Sequence, residues 1–310
     1  MNGPLIALTG ATGFIGRHLV ADLTKRGYRV RVLLRRPADV PEGASGAVIG
    51  DIASPHNMAA ALRDVDAVVH SAGLAHAMSG RPEDDYRAIN TQGTLNLARA
   101  AERAHVKRFV FLSSIRAQTG PVALAPVTEA DEPHPTDAYG RSKLEAEQGL
   151  ETLGIDWVAL RPVLVYGPGV KGNMAALVSL AQSPWPLPLG GLRARRSLLS
   201  LDNLASAVDA VLRAPGPLRR PLIVAEPEPL NIAEIVGALR SGLGRGPGLV
   251  PVPSVLLRLG AMLAGKSEAF DRVAGSLVAL PDALIDLGWQ PVSSTRDGLA
   301  RLAREFSPGG

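Results

Sequence analysis

A glycine triplet directly after an apolar run constrains the fold of this chain more than any other feature. The apolar stretch Pro4 to Thr9 precedes the triplet, and Arg17 to Arg26 after it has helical periodicity. Glycines at this spacing allow a tight strand-to-helix turn and let the backbone approach a pyrophosphate. The free amides at the N-terminus of such a helix bind the anion. The motif predicts a dinucleotide site, and the residues expected to border the ligand are Gly10, Thr12, Gly13, Phe14, Ile15 and Gly16.

Beyond the triplet, short β-branched runs alternate with helical patterns, which is typical of a parallel sheet covered on both faces. The predicted strands are Pro4–Thr9, Arg29–Leu34, Ala67–His70, Arg108–Leu112, Trp157–Leu160 and Leu222–Ala225. The predicted helices are Arg17–Arg26, which Gly27 ends, Arg87–Ala104 and Ala138–Leu153. From Tyr166 onward, frequent glycine and proline predict a long irregular segment rather than a regular element.

These patterns predict an α/β fold with a Rossmann-type doubly wound parallel sheet and a smaller C-terminal α/β substrate-binding region. A chain of 310 residues exceeds the size at which a single hydrophobic core usually stops growing. We expect residues 1–165, completed by about 197–225, to form the dinucleotide-binding domain. Residues 166–196 and 226–310 are expected to form the substrate-binding domain.

The end of the second predicted strand bears on which dinucleotide binds. A carboxylate at this place commonly binds the ribose 2′-hydroxyl of NAD, but here Arg35 and Arg36 follow the strand. Two guanidinium groups suit a 2′-phosphate. We therefore predict NADP as the preferred cofactor, with NAD as the alternative. Asp51 and Ile52 are expected to contact the adenine side.

A tyrosine and a lysine carry the predicted chemistry. In the segment Tyr139-Gly-Arg-Ser-Lys143, a helix places the phenol and the ammonium one turn apart on one face. A neighbouring lysine and a positive nicotinamide ring would favour the phenolate and lower the pKa of Tyr139. Ser113 and Ser114 end the strand before this helix. We expect Tyr139 to exchange a proton with a substrate.

These motifs resemble the extended short-chain dehydrogenase/reductase family, which includes nucleotide-sugar epimerases, dehydratases and ketoreductases. The resemblance covers nearly the whole chain and implies a homodimer through the helices Arg87–Ala104 and Tyr139–Leu153, although burial within one chain would look the same in sequence. Besides the glycine and Tyr-Lys motifs, five segments carry it, in the family's order: Asn90–Asn96, Phe109–Ser114, Arg161–Gly169, Arg196–Ala205 and Leu287–Pro291.

The resemblance implies roles for residues near the cofactor. Ser114 would hydrogen-bond the reacting hydroxyl or carbonyl, with Ser113 as the alternative. Tyr139 would be the acid/base, and Lys143 would hold the nicotinamide ribose. The family's motifs imply further cofactor contacts at Ser71, Ala72, Gly73, Asn90, Ser113, Tyr139, Lys143, Pro162 and Leu164.

On the substrate side, the resemblance implies that Arg196 contacts a pyrophosphate and that Arg272 is a second phosphate-binding arginine. Many family members have asparagine where this chain has Leu164, so a common substrate contact is missing. Asn173 is a candidate to replace that contact, with a solvated loop asparagine as an equal alternative.

The implied function is an NAD(P)-dependent oxidoreductase or epimerase acting at C4 of a nucleotide sugar, either a UDP-hexose or a UDP-N-acetyl-6-deoxyhexosamine. A 4-epimerase and a 4-ketoreductase would use the same residues, and bacterial enzymes of both kinds in surface-polysaccharide pathways resemble this chain. Arg35 and Arg36 favour net reduction. The alternatives are an NADPH-dependent reductase of a non-sugar ketone and a non-catalytic NADP-binding sensor or structural subunit.

Composition argues against several other classes. Aromatic residues make up only 4%, so the net charge of +4 does not indicate nucleic-acid binding. No run is long enough for an integral membrane segment. The stretch Pro253 to Gly265 predicts a buried or substrate-capping helix, with a membrane-surface helix as the alternative. A chain without cysteine suits a reducing compartment, so a cytoplasmic location is expected. His70 and His76 lack the spacing of metal ligands.

Overall fold

The computed structural model describes residues 3–54, 58–74, 81–263 and 275–306. Its strands are β1 Leu5–Thr9, β2 Arg29–Leu34, β3 Ala44–Val48, β4 Ala67–His70, β5 Arg108–Leu112, β6 Trp157–Pro162, β7 Leu164–Tyr166, β8 Arg195–Arg196, β9 Leu198–Ser200, β10 Arg220–Val224 and β11 Leu230–Asn231. Within the described residues, seven strands form one parallel sheet in the order β10-β6-β5-β4-β1-β2-β3. This order confirms the predicted Rossmann-type α/β fold.

The central strands are mostly apolar because helices cover both faces of the sheet. β1, β4 and β5 are buried at every position. Successive side chains of a strand point to opposite faces, so Phe109 and Phe111 enter one core while Val110 enters the other. The buried sheet therefore holds its carboxyl edge as a rigid platform.

Helices alternate with these strands. They are α1 Phe14–Lys25, α2 Met58–Ala61, α3 Glu83–Tyr86, α4 Gly93–Arg103, α5 Ile115–Gln118, α6 Ala138–Glu151, α7 Gly172–Gln182, α8 Leu201–Arg213, α9 Ile232–Gly242, α10 Ser254–Leu263, α11 Asp282–Ile285 and α12 Thr295–Glu305. Between α3 and α4, Arg87–Gln92 forms a π-helical turn. α1 begins three residues earlier than predicted, directly after Gly13, and Gly27 with φ +89° follows its end as predicted.

Two small two-stranded sheets are separate from the main sheet. β7 pairs with β9 in parallel, and β8 pairs with β11 antiparallel. A third core, which includes Met174, Val178, Leu239 and Leu302, lies among α7, α9 and α12. The prediction of an irregular segment after Tyr166 was wrong, because α7 lies within it. That helix is apolar on most sides and therefore lacks helical periodicity. The proposed division into two domains stays a prediction.

The two helical segments expected to join protomers pack against each other within one chain. Arg87 pairs with Glu145 on α6 at 2.8 Å, and the Thr91 hydroxyl donates to the Ser142 carbonyl at 2.9 Å. The polar groups on the facing sides of these segments therefore have partners within one chain. The homodimer stays a prediction. In the part of the chain that the structure describes, no helix has the length and apolar character needed to cross a bilayer.

Candidate active site

The turn between β1 and α1 has the geometry of an anion-binding loop. Gly10 has φ +75°, and a Cβ there would lie 2.8 Å from the Ala72 nitrogen. A Cβ on Gly16 would lie 2.1 Å from the Gly10 carbonyl oxygen. Neither position therefore admits a side chain. Gly13 caps α1 without a side-chain hydrogen bond, which leaves the first amides of the helix available to a ligand. The turn fits the pyrophosphate of a dinucleotide.

The residues predicted for the adenine side lie beyond the neighbouring strands β2 and β3. Arg35 and Arg36 follow β2 and are exposed, as is Asp51 after β3. Ile52 is half-buried and packs on α4, where a Cβ on Gly93 would lie 2.7 Å from its Cγ2. The structure thus places two accessible guanidinium groups and one carboxylate at the same edge of the sheet as the glycine turn.

His70 at the end of β4 is hydrogen-bonded to Thr9 at the end of the neighbouring strand β1. The Thr9 hydroxyl accepts hydrogen bonds from the amides of Ser71 and Ala72, at 3.2 Å and 3.1 Å. Its own proton is therefore free to go to His70 Nδ1, 2.7 Å away. The Thr9 hydroxyl therefore helps to hold the turn after β4, where Ser71, Ala72 and Gly73 were predicted to border the cofactor.

The other ring nitrogen of His70 continues the chain of hydrogen bonds. Nε2 lies 3.0 Å from the Thr94 hydroxyl, which donates to the Asn90 carbonyl at 2.5 Å. Nε2 is therefore the donor of the pair. Burial, with a smaller effect of the Lys143 charge, lowers the pKa of His70 to about 3. The ring is neutral and structural. Among the described residues, no group of three ionisable side chains could hold a metal ion, and His76 lies outside those residues.

Asn90 lies in the π-helical turn, a feature that is frequent at functional sites. Its side chain accepts from the Leu74 amide at 2.8 Å and donates to the Leu74 carbonyl at 3.1 Å. It also donates to the Ser142 hydroxyl on α6 at 3.0 Å. A Cβ on Gly73 would lie 2.9 Å from Asn90 Oδ1 and 3.4 Å from Lys143 Nζ. Asn90 thus ties the turn after β4 to the helix that carries Tyr139.

Lys143 belongs to the same helix, α6, and its side chain is buried against β5. Its Nζ donates to the Leu112 carbonyl at 2.8 Å and lies 4.4 Å from the centre of the Phe111 ring. Burial lowers the pKa of Lys143 to about 7, against a smaller opposing effect of Glu147. The Lys143 side chain can therefore change between its ammonium and amine forms near neutral pH.

Tyr139 lies in the first turn of α6 and is half-buried. The Lys143 nitrogen is 6.0 Å from the centre of its ring. Burial raises the pKa of Tyr139, and the hydrogen bond with Ser114 opposes this to a smaller extent. The expected lowering of this pKa depends on Lys143 together with a positive nicotinamide ring, and it stays a prediction. The phenol is protonated at neutral pH, and the structure brings Ser114, Tyr139 and Lys143 together.

A buried ion pair that the sequence analysis missed distinguishes the two serines. Glu147 on α6 and Arg161 on β6 are paired, with both side chains only 3% exposed. The Ser113 hydroxyl donates to Glu147, whereas the Ser114 oxygen caps α5 by accepting from the Arg116 amide at 3.1 Å. Both serines are buried, but Ser113 is hydrogen-bonded to the ion pair whereas Ser114 is hydrogen-bonded to Tyr139. One sequence feature could have predicted that Glu147 is buried near the site. It lies one helical turn after Lys143 and therefore on the same face of the helix.

The remaining predicted residues differ in burial. Of the two predicted cofactor contacts after β5, Pro162 ends β6 in the core, whereas Leu164 in β7 is 48% exposed. Asn173 is exposed in the first turn of α7, and Arg196 in β8 is half-buried, which lowers its pKa. Arg272 lies outside the described residues.

The helix predicted from the apolar stretch near residue 253 is α10. Val255, Leu256 and Met262 are 74%, 59% and 57% exposed. The interpretation as a buried helix is therefore wrong for these side chains, because α10 lies on the surface. The residues after Leu263 in that stretch lie outside the described residues.

Rossmann-type topology with a tyrosine at the carboxyl edge of the sheet is the arrangement of extended short-chain dehydrogenases/reductases, and comparison with known proteins confirms this class. The chain belongs to the NAD dependent epimerase/dehydratase family, whose model matches residues 6–231.

Two curated relatives and a solved structure align with almost all of the chain. A UDP-glucose 4-epimerase from Vibrio cholerae is 36% identical, covering 97% of this chain and 95% of the relative. A ceramide reductase from Caulobacter vibrioides is 27% identical, covering 94% and 87%. The structure of MoeE5 in complex with UDP-glucose and NAD has a TM-score of 0.72 and 26% identity, and the match covers 98% of each chain.

Proposed function

We propose that the protein is an NAD(P)-dependent nucleotide-sugar 4-epimerase that acts at C4 of a UDP-hexose or a UDP-N-acetyl-6-deoxyhexosamine. The arrangement of Ser114, Tyr139 and Lys143 at the carboxyl edge of the sheet carries the proposal. End-to-end similarity to a UDP-glucose 4-epimerase supports the choice of substrate. A 4-ketoreductase would use the same residues and differs only in whether the reaction consumes reductant.

The proposed mechanism assigns a proton-transfer role to the Tyr139 phenol. Tyr139 removes the O4 proton during oxidation and returns it during reduction, while Ser114 hydrogen-bonds the same oxygen. Because burial raises the pKa of Tyr139, its ionisation needs positive charge nearby. In this proposal the ammonium form of Lys143, 6.0 Å from the centre of the ring, supplies part of that charge. A dinucleotide held by the glycine turn and Lys143 would supply a reversible hydride acceptor for C4.

The remaining predicted residues receive roles in the same proposal. The glycine turn holds the dinucleotide pyrophosphate, and Arg196 holds the pyrophosphate of the sugar nucleotide. Leu164 and Asn173 border the sugar. The dinucleotide and substrate domains keep the boundaries predicted from the sequence, and two chains pair through α4 and α6.

We assign NADP as the preferred cofactor because Arg35 and Arg36 are exposed where a 2′-phosphate would lie. MoeE5 was crystallised with NAD, so NAD is the alternative. In the double variant Arg35→Ala/Arg36→Ala, fluorescence titration should show NADPH affinity reduced by roughly tenfold or more, with NADH affinity unchanged. Equal losses for both cofactors would contradict the assignment.

Incubation of the purified protein with UDP-glucose or UDP-N-acetylglucosamine tests the function. We expect conversion to the C4 epimer without stoichiometric NADPH, and a loss of roughly 100-fold to 10,000-fold in kcat for Tyr139→Phe. Consumption of one NADPH per product would replace the epimerase with the ketoreductase. An unchanged rate in Tyr139→Phe would refute the acid/base assignment and favour a non-catalytic dinucleotide-binding protein.

A second candidate function is reduction of an apolar, non-sugar ketone. Leu164 and the surface of α10 expose apolar side chains, and the ceramide reductase aligns over 94% of this chain. An NADPH assay with a 3-keto steroid and a long-chain aliphatic ketone separates the two functions. Turnover of these ketones without turnover of UDP-sugars would displace the nucleotide-sugar proposal.

A further inference from the structure

Arg116 and Asp137 form an ion pair beside the two catalytic hydroxyls. The Arg116 guanidinium donates through Nε to Asp137 Oδ2 at 3.1 Å, and Nη2 makes a second bond to the same oxygen. Nη2 also lies 3.4 Å from the Thr136 hydroxyl. Both charged side chains are about four-fifths buried, at 20% and 19% exposure. The pair therefore loses less of its attraction to solvent than a surface ion pair would.

Each member of the pair also holds one of the catalytic residues. The Arg116 amide donates to the Ser114 hydroxyl oxygen at 3.1 Å. Asp137 Oδ1 accepts from the Gly140 amide at 2.7 Å and so caps α6, the helix that carries Tyr139. The two oxygens of one carboxylate thus serve two purposes, since Oδ2 binds Arg116 and Oδ1 fixes the start of the catalytic helix.

The backbone makes the same junction tight. A Cβ on Gly140 would lie only 2.2 Å from the Arg116 carbonyl oxygen. The first turn of α6 therefore rests directly on the backbone of α5. A small displacement at this junction would move the Ser114 and Tyr139 hydroxyls relative to each other.

We infer that the Arg116–Asp137 ion pair is a positioning element for proton transfer, which holds the Ser114 turn and the first turn of α6 in the register that brings the two catalytic hydroxyls together. This inference rests on the proposed acid/base role of Tyr139. Neither residue touches the reacting atoms in this role. Arg116 acts through Ser114, and Asp137 acts through the helix cap.

The two members of the pair also have opposite electrostatic effects on the pKa of Tyr139. Asp137 raises the pKa of Tyr139, and Arg116 lowers it. The other ionisable groups around the phenol are Lys143 on α6, Tyr86 on α3, whose ring centre is 6.4 Å away, and the Glu83–Arg141 pair between α3 and α6. Replacing Arg116 or Asp137 leaves all of these in place.

Two neutralising variants test the inference. Arg116→Gln removes the positive charge, so the alkaline ionisation of Tyr139 should move to higher pH. Asp137→Asn keeps an oxygen for the Gly140 amide, because asparagine is a good helix cap, and removes the negative charge. Its Tyr139 ionisation should move to lower pH. We expect both variants to lose roughly tenfold to 100-fold in kcat with UDP-glucose, because both disturb the junction.

Ultraviolet difference titration of tyrosinate follows the ionisation without any substrate. Subtracting the titration of Tyr139→Phe from that of each protein isolates the Tyr139 signal. Arg141→Gln is the matched control, since it removes one positive charge from another ion pair of α6 that does not contact α5. It should keep the wild-type rate and ionisation. Thermal unfolding checks that every variant is folded.

The possible results separate the inference from the function on which it rests. Opposite shifts for Arg116→Gln and Asp137→Asn, together with reduced kcat, support the positioning role. The positioning role alone is overturned if the Tyr139 ionisation shifts in the same direction in both variants. It is also overturned if both variants keep the wild-type rate while Tyr139→Phe is inactive. Full activity in Tyr139→Phe overturns the acid/base assignment and the positioning role with it.

Discussion

The carboxyl edge of the sheet and the region beyond β7 differ in how firmly their side chains are held. At the edge, His70, Asn90 and Lys143 are each buried and hydrogen-bonded on more than one side or to the sheet itself. In the other region, Leu164 at the start of β7 and Asn173 beyond that strand are exposed. The residues proposed for proton transfer are therefore supported by buried, hydrogen-bonded side chains. The predicted sugar contacts instead lie on a surface where substitutions cost little stability.

This difference teaches which property each region controls. Substitutions at the sheet edge should change stability and proton transfer together, because each buried polar group depends on its partners. Substitutions beyond β7 should change substrate affinity with little effect on stability. The predictions below test this contrast.

The largest effect is expected from the buried ion pair of the sheet edge. Arg161→Met leaves the Glu147 carboxylate buried without its cation, which should lower the free energy of unfolding by about 3–5 kcal/mol in urea denaturation. The double variant Arg161→Met/Glu147→Leu should be less destabilised, because no unpaired charge remains. Arg87→Gln, which breaks an exposed pair on the same helix, is the control. A loss under about 1 kcal/mol for Arg161→Met would place this pair with ordinary surface pairs.

On the substrate side, Arg196→Ala should raise KM for UDP-glucose by roughly 30-fold, equal to about 2 kcal/mol, because a charged hydrogen bond to phosphate is lost. Steady-state kinetics should show kcat little changed. Arg195→Ala is the matched control, because successive side chains of β8 point to opposite sides. An unchanged KM in Arg196→Ala would remove this residue from the proposed substrate site.

The neutral histidine of the sheet edge predicts a pH dependence of stability. The pKa of His70 is about 3 in the folded chain and 6.5 for an unperturbed histidine, so the unfolded chain binds more protons between these values. The contribution of His70 is complete above pH 6.5 and declines as the pH falls, by about 1.4 kcal/mol at pH 5.5.

Urea denaturation at several pH values measures this decline. His70→Gln should be less stable overall but flatter between pH 6.5 and 3. His134→Gln changes a histidine side chain that is 76% exposed, and its curve should keep the wild-type slope. Equal slopes in all three proteins would show that His70 does not titrate as inferred.

The smallest effect is expected at Leu164. Leu164→Asn restores the hydrogen-bonding side chain found in many family members and should raise kcat/KM for UDP-glucose by about twofold, equal to about 0.5 kcal/mol. Thermal unfolding should not change, because the side chain is exposed. A fall in kcat/KM for UDP-glucose would contradict a sugar contact at this position.

Much of the fold follows from local sequence. Strands β2, β4 and β5 have the predicted bounds, because buried parallel strands consist of short apolar runs between turn residues. The other predicted strands differ only at their ends. α7 was missed because its apolar residues surround the whole helix, so its existence depends on the third core, which is assembled from distant segments.

The sequence by itself determined the glycine turn, the dinucleotide fold and the pairing of Tyr139 with Lys143, since each depends on residues near one another along the chain. The tertiary structure decided the partners of the two serines, because Glu147 and Arg161 approach Ser113 from a helix and a neighbouring strand. It also decided that burial raises the pKa of Tyr139 in the folded chain. Burial is a property of the packed chain, and no local spacing records how much solvent a phenol loses when helix and sheet close over it.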